Sequence, residues 1–457
     1  MDTASFRDGA LPAVSCLGSC LVALDGRGGT RYSRDMTSLS RREFLKASAV
    51  AATTLSAAGV RAQTSPGDTL RIGLIGCGGR GTGAAAQALA ADPGVKLVAM
   101  ADAFDARLQL SLSTLKKQET VASKIDVPEK NRFIGFDAYQ KVIELSDVVL
   151  LATPPHFRPM HIEAAVAAGK HIFAEKPIAV DAPGVRAVLA ACQTARTKGL
   201  AVVSGLATRY SYGHREMITR LHEGAVGQIR AIQVNDFRGP IWVKPRQPGW
   251  TDMQYHMQNW YYFTWLSGDF NVEQHIHLLD LCSWIMRDEY PGRAYGTGGR
   301  QVRTGPEYGN IYDHHSVTYE YADGARLFAT CRQMAGCMSE TTTRVMGTQG
   351  IASVAQRSLE IQGTESWVYR GERNVSQQTE HDELFASIRR GKPINNGEYM
   401  SKSTLMAIMG RVATYTGQAV TWEQALRSQE KLAPDRYDWD AKPPESPIAI
   451  PGVTKVT

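Results

Sequence analysis

The chain has few cysteines and no long apolar run. It has seven cysteines in 457 residues, and those beyond residue 62 are Cys77, Cys192, Cys282, Cys331 and Cys337. Their odd number and irregular spacing match neither a zinc site nor a disulfide framework. We interpret them as buried thiols, with a Cys331–Cys337 disulfide as the alternative. No apolar stretch reaches the roughly 18 residues of a membrane-spanning helix, so no span is expected.

An excess of charge of one sign is also lacking. The chain has 51 Lys and Arg against 45 Asp and Glu, a formal net charge of +6, without a basic run. Proteins that bind nucleic acids or anionic membrane surfaces concentrate positive charge in patches or tracts. The composition therefore predicts neither kind of partner.

The N-terminal region contains a pattern typical of a twin-arginine signal peptide. Ser40-Arg41-Arg42-Glu43-Phe44-Leu45-Lys46 precedes an uncharged stretch to Val60, and Val60-Arg61-Ala62 fits a cleavage site. We expect a signal at residues 36–62, export to the periplasm by the twin-arginine machinery, and a start at Met36. Residues 1–35 would then be an upstream artefact or a disordered leader. A chance Arg-Arg pair before an Ala-rich helix is the alternative.

Cleavage after Ala62 leaves 395 residues with a net charge of +3, which is more than one hydrophobic core usually serves. We predict a nucleotide-binding domain at residues 70–205, a substrate and oligomerisation domain at 206–430, and a C-terminal tail at 431–457. The first domain alternates short apolar runs with helical stretches, a pattern typical of parallel strands joined by crossover helices.

A dinucleotide-binding loop follows the first predicted strand, Arg71–Ile75. Gly76 permits a tight turn, Gly78 lets backbone N–H groups approach a pyrophosphate, and Gly81 allows close packing of helix and strand. Gly79 and Arg80 complete the loop. Asp102 ends the second strand, 21 residues after Gly81, where a carboxylate accepts hydrogen bonds from an adenosine ribose and repels a 2′-phosphate. NAD is therefore favoured, although Arg107 leaves NADP open. A plain strand-to-helix turn is the alternative interpretation.

Two later strands end in candidate site residues. Asp147–Ala152 leads into Thr153-Pro154, and Lys170–Ala174 leads into Glu175-Lys176-Pro177. The carboxyl ends of parallel strands are the ligand-binding side of such sheets. Lys176 is therefore a candidate functional residue, with a solvated surface lysine as the alternative.

The second domain reads as a mostly antiparallel sheet. Strands are predicted at Gln228–Val234, Ser316–Tyr321, Arg326–Cys331, Thr343–Met346 and Gly350–Val354, and a helix near residues 405–412 is predicted to pack on the first domain. Seven aromatic residues lie shortly before the segment Gly268–Asp280, namely Trp250, Tyr255, Trp260, Tyr261, Tyr262, Phe263 and Trp265. Such aromatic density fits a sugar platform, a core or a subunit interface equally well.

The segment Gly268–Asp280 concentrates titratable groups. On a helix, Glu273, His277 and Asp280 lie within about 60° of one another, whereas His275 points elsewhere. A metal site built from Glu273, His275 and His277, helped by His314 and His315, is the weaker alternative, because residues two apart diverge on a helix. We therefore predict no metal.

Taken in order, these motifs resemble those of the Gfo/Idh/MocA oxidoreductases: the glycine loop, Thr153-Pro154, Gly169-Lys170-His171, Glu175-Lys176-Pro177 and His277-x-x-Asp280. The resemblance implies a Rossmann domain followed by an open-sheet α+β domain that often forms homo-oligomers. It implies that Thr153, Pro154 and Glu175 lie with the cofactor, that Lys176 lies near the nicotinamide, and that Arg209-Tyr210 lies on the substrate side. The sequence departs from the family in having Glu273 where relatives have Asp, His275 where many have Gly, and Arg158 where many have His.

The resulting hypothesis is an exported oxidoreductase that acts with NAD(P) on a hydroxyl of a sugar, cyclitol or glycoside. His277 would accept the hydroxyl proton, Lys176 would stabilise the developing alkoxide, and Glu273 would orient the imidazole or contact a neighbouring hydroxyl. Weaker substrate-binding candidates are Arg209, Tyr210, Trp260, Tyr261, His275 and Asp280. A redox-neutral glycoside-cleaving cycle and a non-catalytic sugar- or nucleotide-binding protein remain as alternatives.

Overall fold

A computed structural model describes residues 68–355, 358–445 and 447–456. The twin-arginine motif, its apolar stretch and the cleavage pattern lie outside these residues. Among the residues described, no helix is both long and apolar enough to cross a membrane.

The first sheet has six parallel strands in the described chain, in the order β3-β2-β1-β4-β5-β6. This is the order of the Rossmann fold, with its crevice at the carboxyl ends of β1 and β4. The strands are β1 Leu70–Ile75, β2 Val95–Asp102, β3 Arg132–Ile134, β4 Val148–Leu151, β5 His171–Ala174 and β6 Val202–Ser204. The helices among and after them are α1 Gly79–Ala91, α2 Asp105–Lys116, α3 Glu119–Ala122, α4 Tyr139–Leu145, α5 Arg158–Ala167 and α6 Ala182–Thr197.

The second sheet has nine strands in the described chain, in the order β14-β13-β12-β11-β7-β10-β9-β8-β15. Its neighbours are antiparallel except for β10 beside β7. The strands are β7 Ile229–Arg238, β8 Arg293–Gly299, β9 His314–Glu320, β10 Arg326–Gln333, β11 Glu340–Gly347, β12 Ile351–Ala355, β13 Ser358–Gln362, β14 Ser366–Val368 and β15 Val420–Thr421. Alternate residues of β10 are buried, which is the pattern of a strand with one face on a core. The predicted fold class, a Rossmann domain plus a mostly antiparallel α+β domain, is confirmed.

Helices cover one face of the second sheet and connect it to the first. They are α7 Tyr212–His222, α8 Asp252–Gln258, α9 Thr264–Ser267, α10 Phe270–Glu273, α11 Ile276–Ile285, α12 Ser376–Arg389, α13 Gly397–Thr416 and α14 Trp422–Arg427. α13 contacts α6 of the first sheet's layer and β8 of the second sheet, and most of its residues are buried. It therefore forms a shared wall that fixes the two sheets relative to each other.

Candidate active site

The glycine loop between β1 and α1 forms an open cradle. Gly76 has φ +95°, a conformation that side chains rarely adopt. A Cβ on residue 81 would lie 1.9 Å from the carbonyl oxygen of Gly76, so only glycine lets α1 begin this close to the strand. Added Cβ atoms at Gly78 and Gly79 would meet nothing within 4 Å. The loop thus leaves free space at the N-terminus of α1, where backbone N–H groups and the helix dipole favour a pyrophosphate.

Asp102 at the end of β2 is held beside this loop. Its carboxylate accepts hydrogen bonds from the backbone N–H of Cys77 at 2.7 Å and of Phe104 at 2.9 Å. Burial raises the pKa of Asp102 above its usual value, opposed by these hydrogen bonds. Because each carboxylate oxygen accepts more than one hydrogen bond, the group can still receive a ribose hydroxyl. The residues present therefore fit an NAD nucleotide.

A single cavity of about 1300 Å³ runs past these groups. Its lining includes Gly76, Gly78, Gly79, Arg80, Gly81, Asp102, Thr153 and Pro154 among the predicted cofactor residues. The other wall comes from residues for which no cofactor role was predicted, namely Phe104, Phe136, Trp242, Lys244, Gln258 and Trp439. The volume exceeds that of most drug-sized ligand pockets, and its shape joins the glycine loop to the second domain.

Arg80 and Glu175, two of the predicted cofactor residues, hold the glycine loop in place through an ion pair. The Arg80 guanidinium forms an ion pair with Glu175, and its Nη2 lies 3.6 Å from Glu380 Oε1. Glu175 is buried, 4% exposed, and does not line the cavity. Arg80 therefore ties the glycine loop to the Glu175-Lys176 turn.

Arg158, which the sequence left without a role, connects the two turns that follow β4 and β5. It is buried, and it donates to the backbone oxygens of Thr153, at 2.6 Å, and of Pro177. Burial lowers its pKa to about 10, so the guanidinium remains charged at neutral pH. Arg158 thus positions the turns that carry Thr153 and Lys176.

Lys176 and Glu273 meet across the two domains. Lys176 Nζ donates to the Glu273 carboxylate at 2.9 Å and to its backbone carbonyl at 2.6 Å. Each side chain is 12% exposed. Lys176 lies two residues after Ala174, whose strand partner Leu151 lies two residues before Thr153, so the ammonium sits at the same edge of the sheet as the cavity-lining turn. Lys176, Glu273 and His277 are not part of the lining itself.

The helix predicted to carry Glu273, His277 and Asp280 on one face is interrupted between Glu273 and Ile276. The backbone N–H of His275 reaches back five residues to Phe270, and His277 donates to Gln274 instead of Glu273. This widened turn ends α10 at Glu273 and starts α11 at Ile276, and such a turn rotates the following residues around the helix axis. The interruption frees the Glu273 carbonyl, which accepts the hydrogen bond from Lys176 instead.

His277 lies in the first turn of α11, partly buried. Burial, and then the positive charges of Lys176 and Arg238, lower its pKa to about 3. The imidazole is therefore neutral at physiological pH, and one of its ring nitrogens carries a lone pair. His275 is buried, and its Nδ1 lies 3.3 Å from Asp236 Oδ2, whereas its Nε2 has no hydrogen-bond partner among the described residues.

Three of the weaker substrate candidates lie away from the cavity. Arg209 and Asp280 form a buried ion pair, with Arg209 Nη2 to Asp280 Oδ1 at 2.9 Å, and Arg209 also pairs with Asp288. Tyr210 donates to Asn396 Oδ1 at 2.8 Å and is 3% exposed. The widened turn lies between Glu273 and Asp280, so these two residues do not share one continuous helix, whereas His277 and Asp280 both lie on α11. These residues stabilise the contact between α11, α13 and the segment before α7.

The aromatic candidates divide between wall and core. Trp260 lines the cavity beside Trp242, with ring centroids 6.0 Å apart. Tyr261 is buried and its hydroxyl accepts a hydrogen bond from Gln333 at 2.9 Å. Burial, and then the negative charge of Glu273, raise the pKa of Tyr261 well above its usual value. Trp242, which has 43% of its surface exposed, also lines the cavity. It was not predicted from the sequence, because it stands alone in a Pro-containing loop.

No group of three or more His, Cys, Asp and Glu residues suited to a metal ion occurs in the described ranges. Two of the histidines considered for such a site lie beside carboxylates instead, His315 beside Asp269 and His314 beside Asp313. The five cysteines of the described chain are free thiols, and Cys337 is exposed while the other four are buried. The interpretation of Cys337 as a buried thiol is therefore wrong, because the turn after β10 carries it to the surface.

Comparison with known proteins agrees with this geometry. Residues 70–205 match the oxidoreductase family with an NAD-binding Rossmann fold, and residues 214–353 match the GFO/IDH/MocA C-terminal domain. The chain belongs to the GFO/IDH/MocA oxidoreductase family. Its first domain is accordingly an NAD-binding Rossmann domain.

The relatives include cyclitol and sugar enzymes. The chain is 24% identical over 295 residues to an inositol 2-dehydrogenase of Rhizobium meliloti, covering 64% of this chain and 78% of that protein. Two other curated relatives are matched over only 44% and 49% of their own lengths. Among solved structures, an aldose-aldose oxidoreductase of Caulobacter crescentus has a TM-score of 0.62 at 20% identity, covering 77% and 99% of the two chains. A scyllo-inositol dehydrogenase of Lactobacillus casei, solved with NAD(H) and scyllo-inositol, has a TM-score of 0.58 at 19% identity, covering 78% and 100%.

Proposed function

We propose that this GFO/IDH/MocA protein is an exported oxidoreductase that holds NAD(P) tightly and acts on a hydroxyl of a sugar, cyclitol or glycoside. The observation that carries the proposal is the Lys176 ammonium, which Glu273 holds at the edge of the Rossmann sheet. The neutral imidazole of His277 lies close enough for the charge of this ammonium to lower its pKa. A cation and a proton acceptor are the two groups that oxidation of an alcohol requires.

When bound, the nicotinamide supplies the hydride acceptor for the carbon of the CH–OH group. Lys176 has three N–H donors, two of which are used by Glu273. The third can donate to the substrate oxygen as negative charge develops there. His277 accepts the hydroxyl proton. In this proposal Glu273 fixes the ammonium and so positions Lys176; the role predicted from the sequence was to orient the imidazole or to contact a neighbouring hydroxyl.

The substrate class rests on the wall of the cavity and on the relatives. Trp242 and Trp260 present aromatic faces beside Lys244, and sugar and cyclitol rings pack their C–H faces on such surfaces. The similar proteins named above are an inositol dehydrogenase and an aldose-aldose oxidoreductase. A polyhydroxylated ring is the substrate that both observations support.

A redox-neutral cycle is the second candidate. The twin-arginine motif favours it, since an exported protein has no cytoplasmic NAD pool with which to exchange, and the resemblance to an aldose-aldose oxidoreductase adds support. One substrate CH–OH would lose a hydride and a proton to become a carbonyl. The carbonyl of a second sugar, or of the same ring after elimination of its substituent, would take up both.

The test begins with purified protein lacking residues 1–62. Denaturation releases any bound nucleotide for identification, and intact protein is then incubated with a panel of glycosides, aldoses and inositols without added NAD. Turnover without added NAD supports the closed cycle, and turnover only with added NAD supports net oxidation. Absence of bound nucleotide together with sugar binding but no turnover would indicate a binding protein and refute the proposal.

Export is tested separately in cells. Replacing Arg41 and Arg42 by Lys should retain the protein in the cytoplasm, because the pair defines the twin-arginine signal. Periplasmic protein at unchanged abundance after this substitution would refute export by the twin-arginine pathway, and absence of the unaltered protein from the periplasm would refute the localisation.

A further inference from the structure

The segment that follows the last helix, residues 428–441, crosses the first domain and reaches the nucleotide cavity. Arg186 Nη1 donates to the backbone oxygen of Ser428 at 2.9 Å, and the backbone N–H of Leu432 donates to Asp181 Oδ2 at 2.9 Å. Arg411 also pairs with Glu430. These anchors lie on α13, on α6 and on the residue before α6, and they set the course of the chain toward the turns that follow β2 and β3.

The far end of this segment places aromatic rings against those turns. Trp439 packs on Phe104, with centroids 5.0 Å apart, and on Phe136 at 4.6 Å. The Tyr437 hydroxyl lies 2.8 Å from His156 Nε2, and its ring packs against Phe136. Trp439 lines the cavity together with Asp102 and Phe104. This is the adenosine end of the site, because the carboxylate after β2 marks where the ribose binds in a Rossmann domain.

The second domain covers the same end from the other side. Thr251 Oγ1 donates to the backbone oxygen of Trp439 at 2.5 Å and caps α8. At the other end of α8, Gln258 Oε1 accepts from Arg107 Nη2 at 3.0 Å. Residues from β2, from α8 and from the C-terminal segment therefore surround one half of the cavity.

We propose that residues 432–441 form part of the NAD-binding site and retain the dinucleotide, with Trp439 as the main contact to its adenosine half. This rests on the proposed function in so far as a nicotinamide dinucleotide occupies the cavity. Release of the nucleotide then requires displacement of the Trp439 ring from Phe104 and Phe136, together with loss of the Thr251 hydrogen bond. The segment thus supplies a physical basis for a cofactor that stays bound through successive turnovers.

The experiment measures release of bound nucleotide, not activity. Protein lacking residues 1–62 is loaded with radiolabelled NAD, excess unlabelled NAD is added, and retained label is followed with time. Trp439→Ala should release the label roughly tenfold faster or more, since it removes two aromatic contacts at the site, and Trp439→Phe should restore slow release. Trp367→Ala is the matched control, because Trp367 packs against Tyr369 on the edge of the second sheet and does not line the cavity.

A second measurement on the unaltered protein does not depend on folding of the variant. Amide hydrogen exchange in residues 432–441, relative to residues 366–372, should be slower with NAD bound than after the nucleotide has been removed. Release from Trp439→Ala at the unaltered rate, or exchange in residues 432–441 that ignores NAD, would overturn the retention role while leaving the proposed function intact. Failure of the unaltered protein to bind NAD at all would refute both.

Discussion

Replacing Lys176 by Met should separate the catalytic role of the ammonium from its structural one. The Lys176 ammonium forms two hydrogen bonds to Glu273, and both side chains are 12% exposed. Loss of one electrostatic donor to a developing oxyanion lowers kcat by about 10²- to 10³-fold, or about 2.7–4 kcal/mol. We expect a loss of that size with NAD binding unchanged, because Lys176 does not line the cavity.

The same substitution leaves the Glu273 carboxylate mostly buried without its cation. Breaking a fully buried ion pair in this way costs about 3–5 kcal/mol, and the residual exposure of Glu273 places the expected loss of unfolding free energy below that range. A double variant, Lys176→Met with Glu273→Gln, removes the unpaired charge. It should recover most of the stability and none of the activity.

The assay follows nicotinamide absorbance with an inositol or aldose that the unaltered protein oxidises, beside urea unfolding of the two single variants and the double variant. Activity of Lys176→Met within about twofold of the unaltered protein would refute the proposed site. Recovery of activity in the double variant would show that Lys176 serves only to neutralise Glu273.

Four further substitutions test other parts of the structure. His277→Asn should lower kcat by about 10²- to 10⁴-fold with little change in NAD binding, because it removes the proton acceptor; an unchanged kcat would contradict that role. Both ring nitrogens of buried His381 lack a hydrogen-bond partner among the described residues, and burial lowers its pKa to about 3. Between pH 6.5 and 3 the His381 imidazole is protonated only in the unfolded state, so the free energy of unfolding decreases by about 1.4 kcal/mol for each unit by which the pH is lowered. His381→Phe should reduce this slope, as measured by urea unfolding at several pH values. Gly81→Ala should lower the free energy of unfolding, since the added Cβ would meet the Gly76 carbonyl. Gly79→Ala should leave the free energy of unfolding unchanged but weaken NAD binding, measured by calorimetry. Equal losses of stability in the two variants would argue against the cradle.

The glycine loop and the strand-end residues could be predicted because their chemistry is local. The backbone of the loop itself requires glycine at positions 76 and 81. Lys176 follows a strand that can be recognised from its own run of apolar residues. Parallel strands place their carboxyl ends at one edge, so the sheet itself brings these residues together.

Features that depend on distant partners could not be predicted in this way. The ion pair of Arg209 and Asp280 joins residues 71 positions apart, and neither side chain carries a mark that distinguishes a buried pair from a substrate contact. Trp439 lies in a polar, Pro-containing tail without periodicity. Its position beside Tyr437 in such a segment was the available signal, because large aromatic rings in a tail need a surface to pack on.

The widened turn at His275 shows how a departure from regular structure creates the site. A continuous helix would occupy the Glu273 carbonyl with its own hydrogen bond, and the Lys176 ammonium would have only the flexible carboxylate to hold it. The segment begins at Asp269, whose φ of +76° is uncommon for a residue with a side chain. Its carboxylate accepts hydrogen bonds from the Tyr312 backbone and the Tyr415 hydroxyl, at 2.9 and 2.5 Å. These hydrogen bonds, one from the residue two positions before β9 and one from α13, offset the unfavourable backbone conformation. They fix the start of α10, and therefore the carbonyl of Glu273, to the most buried part of the second domain.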